Sequence, residues 1–309
     1  MGLLVVGSVA LDSVETPFGQ VDDALGGSAV FFSVAGSLLH PVQLVGVVGR
    51  DYPMDELRRI AVRGIDLRGL TVRDGESFRW AGRYGFDLNS RDTLETRLGV
   101  FANFRPDIPE EFRDAKYVFL GNIDPDLQLD VLEQVRHPDL VACDTMNSWI
   151  QGKRTALQKL LERVNVLMVN DSELRELSGD WHIHRAARWV LERGPRAVVV
   201  KKGEHGAVLI EKDRTFFVPG YPLEDVFDPT GAGDAFAGGF MAHLARSGDL
   251  THANLRLAMV YGSAMGSFSV ERFSVQRFDE ITAADVVERV LQYRDLVHFD
   301  PDDDGFLRR

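Results

Sequence analysis

Short apolar runs rich in valine recur along the chain and alternate with stretches whose apolar residues return every three or four positions. The runs LLVVGSVA (3–10), VQLVGVVG (42–49), KYVFLGNI (116–123), LVACDTM (140–146), NVLMVND (165–171) and RAVVVKKG (196–203) read as strands. Continuous apolar runs of this length suit strands buried on both faces. Between them, GKRTALQKLLERV and IHRAARWVLERG carry helical spacing. Strand and helix in alternation predict an α/β fold, with a mainly parallel sheet and crossover helices on both faces.

Two regions break the rhythm. From about Leu70 to Phe104 polar and apolar residues alternate around turn signals at DGE and LNSRD, which predicts a small insertion of antiparallel strands with one wet face. Further on, GAVLIEKDRTFFVPG reads as a hairpin turning at KDR, the segments up to Val297 read mostly as helix, and the tail DPDDDGFLRR reads as a solvated end. No internal repeat or low-complexity linker divides the chain. Residues 1–309 therefore read as one domain capped by an insertion at about 70–104, with residues 12–25 as a candidate further part of it.

Composition narrows the partners. A chain of 309 residues, 45% hydrophobic, can bury a large core. Lys and Arg total 35 against 47 Asp and Glu, a net charge of −12, which argues against nucleic acid or an anionic membrane as a partner. An anionic ligand must then be held by a local feature. Cys143 is the sole cysteine and lies in an apolar run, so no disulfide forms within the chain and a reducing compartment fits. The N-terminus shows no basic leader, and no run approaches a membrane span. The expectation is a cytoplasmic protein.

The candidate local feature is DPTGAGDAFAGGF, from Asp228 to Phe240. RTFFVP precedes it as a strand and AFAGGFMAHLARSG follows as a helix, so Gly231, Ala232 and Gly233 fall at the turn into a helix N-terminus. Free amides point outward there, the helix dipole adds positive charge, and the glycines let several N–H groups turn toward one point. Asp234 stands at the mouth of this anion pocket. A carboxylate there would repel a resting phosphate but could take the proton of a hydroxyl attacking it. In the plainer alternative Asp234 is a helix cap and the glycines are a tight turn plus helix packing at Gly238 and Gly239. No Lys-Ser or Lys-Thr follows the glycines, so the Walker pattern is absent.

This segment resembles the C-terminal signature of the ribokinase-like sugar and nucleoside kinases, the PfkB carbohydrate kinase family. The resemblance extends over nearly the whole chain, through Asp12, the Gly26–Gly27 pair, VGVVGRD, the β insertion, NDSE and KKGEHG. It implies a three-layer α/β/α sandwich with a small β lid, and ATP-dependent phosphorylation of a hydroxyl on a sugar or related polyol. A nucleoside kinase is the nearest alternative, and a non-catalytic ligand-binding protein of the same fold is a more distant one. By position, Asp234 is implied as catalytic base, the Gly231, Ala232 and Gly233 amides as anion hole, and Asp228 with Thr230 as neighbours of a monovalent cation, potassium being the candidate. The family's lid also makes a homodimer through the lid a candidate assembly.

The other motifs carry physics of their own. Asp12 follows the first strand, at the carboxyl end of a parallel sheet where ligands bind in open α/β folds, and its carboxylate could accept bonds from two neighbouring hydroxyls. Gly26 and Gly27 enter a helix, where bare backbone can approach the same ligand. A loop aspartate and a glycine turn are the plain alternatives; the resemblance assigns all three residues to substrate binding. Asn170 and Glu173 stand three apart at a strand-to-helix junction, which alone reads as a capping box. The resemblance implies that they help place Mg2+ and the nucleotide phosphates, through water. It also places Lys201, Gly203 and Gly206 beside ATP, with Thr230 as a further cofactor-binding candidate. Asp144 and Asn147 follow a strand and are candidate neighbours of the acceptor. His182 and His184 have no third ligand nearby in sequence and are read as surface or structural residues. One departure bears on the acceptor: Phe31 stands where many sugar kinases carry Asn, and an aromatic wall there would suit a nucleoside base.

Overall fold

The computed structural model describes residues 2–298. The tail beginning at Asp300 lies outside the described residues. Thirteen strands form two sheets. In chain order they are β1 (Leu3–Val6), β2 (Ala10–Thr16), β3 (Gly19–Gly26), β4 (Val42–Gly49), β5 (Ile65–Arg73), β6 (Phe78–Tyr84), β7 (Arg91–Arg97), β8 (Tyr117–Leu120), β9 (Leu140–Asp144), β10 (Val166–Asn170), β11 (Ala197–Lys201), β12 (Ala207–Glu211) and β13 (Thr215–Val218).

The larger sheet has nine strands in the order β13-β12-β11-β10-β9-β8-β1-β4-β5. It is parallel from β11 to β5 and closes with the antiparallel β12–β13 hairpin. β1, β8 and β9 are buried at every position, because helices cover both faces. Alternate residues therefore feed two cores. Leu3, Val5, Phe119, Ala142 and Met168 face one, and Leu4, Val6, Val118, Cys143 and Leu167 the other. The chain reverses its order across the sheet where β1 meets β8. In open parallel sheets a crevice forms outside the carboxyl ends at such a point.

The smaller sheet runs β3-β2-β6-β7. Its strands come from two separate excursions, residues 10–26 and 78–97, so the β2–β6 seam that joins them is parallel while each excursion is antiparallel within itself. The antiparallel pairing expected within residues 70–104 is that of β6 with β7, and the parallel seam with β2 had no signal in the sequence. Leu70–Arg73, at the start of the expected insertion, belongs instead to edge strand β5 of the larger sheet, and Gly99–Asn103 is a 3-10 turn. Asp51, in the loop after β4, ties the two sheets together: Oδ1 accepts from Ser77 N at 2.8 Å and Ser77 Oγ at 2.7 Å, and Oδ2 accepts from Arg79.

Beneath the larger sheet, the helix Ala232–Ser247 packs between helices Ser28–Ser37 and His252–Ser269. The glycine pair of the sequence motif makes this possible. A Cβ on Gly238 would lie 2.4 Å from the Phe32 carbonyl oxygen, and one on Gly239 would lie 2.7 Å from the Tyr261 carbonyl oxygen. For these two residues the packing explanation holds. Gly238→Ala should therefore destabilise the protein by about 1–3 kcal/mol, despite alanine's better helix propensity, because two backbones must separate. Gly152→Ala, where nothing lies within 4 Å of the added Cβ, should be neutral or slightly stabilising. Urea midpoints of the two variants compare them directly.

Candidate active site

The carboxyl edge of the sheet carries the polar residues. β9 ends on Asp144, β10 on Asn170 and β11 on Lys201, because the chain leaves the sheet there, into helices after β9 and β10 and into a tight turn after β11, and the apolar runs stop. The helix Ala232–Ser247 presents its N-terminus to the same edge. Gly231 is its N-cap, with φ 72°. That left-handed conformation favours glycine, and a Cβ there would lie 2.2 Å from the Phe31 ring. Gly231, Ala232, Gly233 and Asp234 thus lie in the helix cap and first turn, where the Ala232 N–H donates to the Pro229 carbonyl at 3.3 Å.

The loop leading into this helix is held by Asp228, which is 1% exposed. Its Oδ1 accepts from Thr230 N at 2.8 Å and its Oδ2 from Ser274 N at 3.1 Å. Ser274 Oγ in turn donates to the Leu25 carbonyl at the end of β3. Thr230 Oγ1 donates to Tyr84 Oη of the small sheet at 3.2 Å. The smaller sheet is therefore in contact with the helix entrance.

Asp12 lies in β2 and is 6% exposed. Its Oδ2 accepts from Gly27 N at 3.3 Å, and a Cβ on Gly26 would fall 2.1 Å from the same oxygen. The glycine pair thus makes room for, and donates to, the carboxylate. Phe31 does not form an open aromatic wall. It is 1% exposed and supports Gly231 from below, since the apolar ring fills the space that the absent Cβ leaves.

Asn170 and Glu173 form the capping box that their spacing permits: Glu173 N donates to Asn170 Oδ1 and Asn170 N to Glu173 Oε2, both at 2.8 Å. Gly203 and Gly206 adopt positive φ in the turn between β11 and β12. Lys201 Nζ donates to Asp144 Oδ2 at 3.1 Å. The contact between Tyr84 and Thr230, the Ser274 brace and the Lys201–Asp144 pair were not read from the sequence. Each joins segments far apart in the chain; the sequence marks Asp144, Lys201 and Thr230 one by one, but nothing in it pairs them with these partners. Asn147 turns aside to donate to Glu176. His182 and His184 are exposed at the start of a helix.

The electrostatics of the edge are lopsided. Burial, reinforced by the charge of Asp144, raises the Asp234 carboxyl to about 7 against the opposing pull of Lys201. Glu173 is raised to about 7 by burial and then by Asp144. Asp12 is likewise raised to about 7 by burial, which the Gly27 N–H partly offsets and Asp228 increases. Burial tends to lower the Lys201 ammonium, but Asp144, Glu173 and Asp234 hold its pKa above the ordinary value. Asp234 is half-buried, and its Oδ1 is covered without a hydrogen-bond partner.

Known proteins share the family and the fold. The pfkB family carbohydrate kinase model matches residues 8–282. The cytidine kinase of Thermococcus kodakarensis is 29% identical over 251 residues, 80% of this chain and 89% of that protein. The ATP-dependent ribose-1-phosphate kinase of Halopiger xanaduensis is 30% identical over 271 residues, 82% of this chain and 88% of its own length. Among solved structures, the nucleoside kinase of Methanocaldococcus jannaschii shares the fold with a TM-score of 0.76 at 24% identity, covering 94% of this chain and 99% of that one.

The raised carboxyl groups make the ligand-free protein sensitive to pH. Each binds its proton more tightly folded than unfolded, so folding stability falls as pH rises from the ordinary carboxylate range through about 7. Asp234→Asn removes one such group. Its stability advantage over the wild type should grow by on the order of 2 kcal/mol between about pH 5 and about pH 8, read as the difference in urea unfolding free energy.

Proposed function

The chain belongs to the pfkB family of carbohydrate kinases, and from that premise we propose that it transfers the γ-phosphoryl group of ATP to a hydroxyl of a sugar or nucleoside, with Asp234 as general base. The observation that carries the proposal is that Asp234 stands in the first turn of the helix Ala232–Ser247, beside Lys201 and Asp144 of the sheet edge. The Ala232 N–H, which bonds the Pro229 carbonyl at 3.3 Å in the ligand-free protein, would turn to the phosphate with those of Gly231 and Gly233. The acceptor would lie between Asp12 and Asp234, whose charges already influence each other. Asp12 accepts bonds from acceptor hydroxyls. Asp234 takes the proton of the attacking hydroxyl, the new O–P bond forms, and the bond to the β-phosphate oxygen breaks with its electron pair leaving on ADP. The Gly231, Ala232 and Gly233 amides hold the migrating group.

Lys201, Gly203 and Gly206 border the nucleotide in this arrangement, and Thr230 stands beside its phosphates. Three carboxylates, Asp144, Glu173 and Asp234, face the single Lys201 ammonium, and this surplus suits a divalent cation. Among the described residues no cluster of three metal-ligating side chains exists. Magnesium would therefore take its oxygens chiefly from ATP and water, with Glu173 and Asn170 acting through water. Bound there it would neutralise charge on the phosphates. The potassium site has less support: both Asp228 oxygens already accept backbone N–H groups. The bond between Tyr84 and Thr230 favours a smaller sheet that covers the site and excludes water, which would otherwise compete as acceptor.

The cytidine and ribose-1-phosphate kinases among the relatives differ in what their acceptors carry at the anomeric carbon but share a ribose. A ribose diol matches what Asp12 can bind, so we favour a ribose-containing acceptor. An ATP-consumption screen over free sugars, sugar phosphates, inositols and nucleosides, with and without potassium, tests this. At least one ribose compound should turn over, and no turnover on any of them would overturn the proposal. On the best acceptor, Asp234→Asn should lower kcat by about two orders of magnitude or more while ATP still binds. The wild-type kcat/KM should rise with pH through about 7 as the free base ionises.

A further inference from the structure

We infer that Lys201 is a further donor to the migrating phosphoryl group, through its ammonium, and that Asp144 is the residue that positions it. The inference rests on the phosphotransfer proposed above and adds a side-chain cation to a site so far built of backbone amides.

Lys201 ends β11 in register with Asn170 of β10, and Asp144 ends β9, one strand further on. To reach Asp144 the lysine must cross the end of β10, roughly two strand spacings of about 4.8 Å each. This extension places Nζ directly over the helix entrance, where a Cβ on Gly233 would lie 2.8 Å from it. The ammonium thus occupies the side-chain space that glycine leaves free at the anion hole. It carries three N–H donors, and the bond to Asp144 uses one. The ion pair is well covered, with side-chain exposures of 18% for Lys201 and 8% for Asp144.

A purely structural ion pair explains this poorly. Covering two charges costs about as much desolvation as their attraction returns, and a cation beside a helix N-terminus meets the positive end of the dipole. Asp144, Glu173 and Asp234 offset that repulsion in the ligand-free protein. An anion at the helix N-terminus offsets it directly, using the amides and the ammonium together. In the transfer itself Lys201 keeps its proton: the hydroxyl proton goes to Asp234 and the bond electrons leave with ADP. The ammonium bonds a non-bridging oxygen as the phosphoryl group moves, and Asp144 keeps the flexible side chain from swinging toward the β-phosphate.

Calorimetric titration with ADP and with the non-hydrolysable analogue AMP-PNP, in the presence of magnesium, separates contact with the third phosphate from contact with the rest of the nucleotide. Lys201→Met should bind ADP within about threefold of wild type but lose about tenfold or more in AMP-PNP affinity. On the best acceptor from the screen its kcat should fall about 100-fold or more, with the acceptor KM changed by less than about threefold. Asp144→Asn should show the same pattern at smaller amplitude, and Lys201→Gln serves if the methionine variant does not fold. Equal losses for ADP and AMP-PNP, or a kcat within about threefold of wild type, would overturn the role of Lys201. Normal kcat in Asp144→Asn alone would overturn the positioning role. A wild-type protein that binds neither nucleotide would sink the kinase proposal itself, an outcome distinct from these.

Discussion

The site depends on close approach of one helix to its surroundings, at positions where a side chain is missing. Along Ala232–Ser247 and its cap, Gly231 sits over the Phe31 ring, Gly233 against Lys201 Nζ, Gly238 over the Phe32 carbonyl and Gly239 over the Tyr261 carbonyl. A methyl group at Gly233 would displace the flexible Lys201 side chain, whereas those at Gly231, Gly238 and Gly239 would push the helix away from its two helical neighbours. The amides and Asp234 would then no longer meet the strand ends that carry Asp144, Asn170 and Lys201. Gly238 and Gly239, in the helix interior, cost helix propensity of roughly 1 kcal/mol each, a loss that dense packing of the helix core offsets.

The second constraint is electrostatic. An acidic chain gathers further carboxylates at its sheet edge and partly buries them, so Asp12, Glu173 and Asp234 hold protons near neutral pH. In the ligand-free protein this is a burden on stability. On the proposed reading a polyphosphate with its cation gains from that arrangement, because the cation relieves the repulsion and the anion meets both the helix N-terminus and the Lys201 ammonium. The carboxyl group with a pKa near 7 can also change protonation state without a large penalty, as a general base must.

The smaller sheet is coupled to these features rather than appended to them. Asp12 stands in β2 and Tyr84 in β6, adjacent strands of that sheet. Asp51 anchors its root through Ser77 and Arg79, and Thr230 meets its tip through Tyr84. Movement of this sheet would therefore change the surroundings of Asp12 and the helix entrance together.

Much of this was legible in the chain itself. Valine-rich runs mark the parallel strands because a strand covered on both faces has no polar face to alternate with, and β4 spans the predicted residues 42–49. The glycine motif marked the helix entrance because backbone geometry there leaves few other residue types. Local spacing also gave both outcomes at Asn170 and Glu173, a capping box that stands at the sheet edge. What the chain could not decide is how distant segments meet. The parallel seam between β2 and β6, the role of Phe31 as the support beneath Gly231, the bracing of Asp228 by Ser274 and the reach of Lys201 to Asp144 all join residues that no local period relates. Local pattern selects the elements through burial and backbone torsion, whereas charge pairing at the strand ends depends on the order of strands across the sheet, and only the folded chain fixes that order.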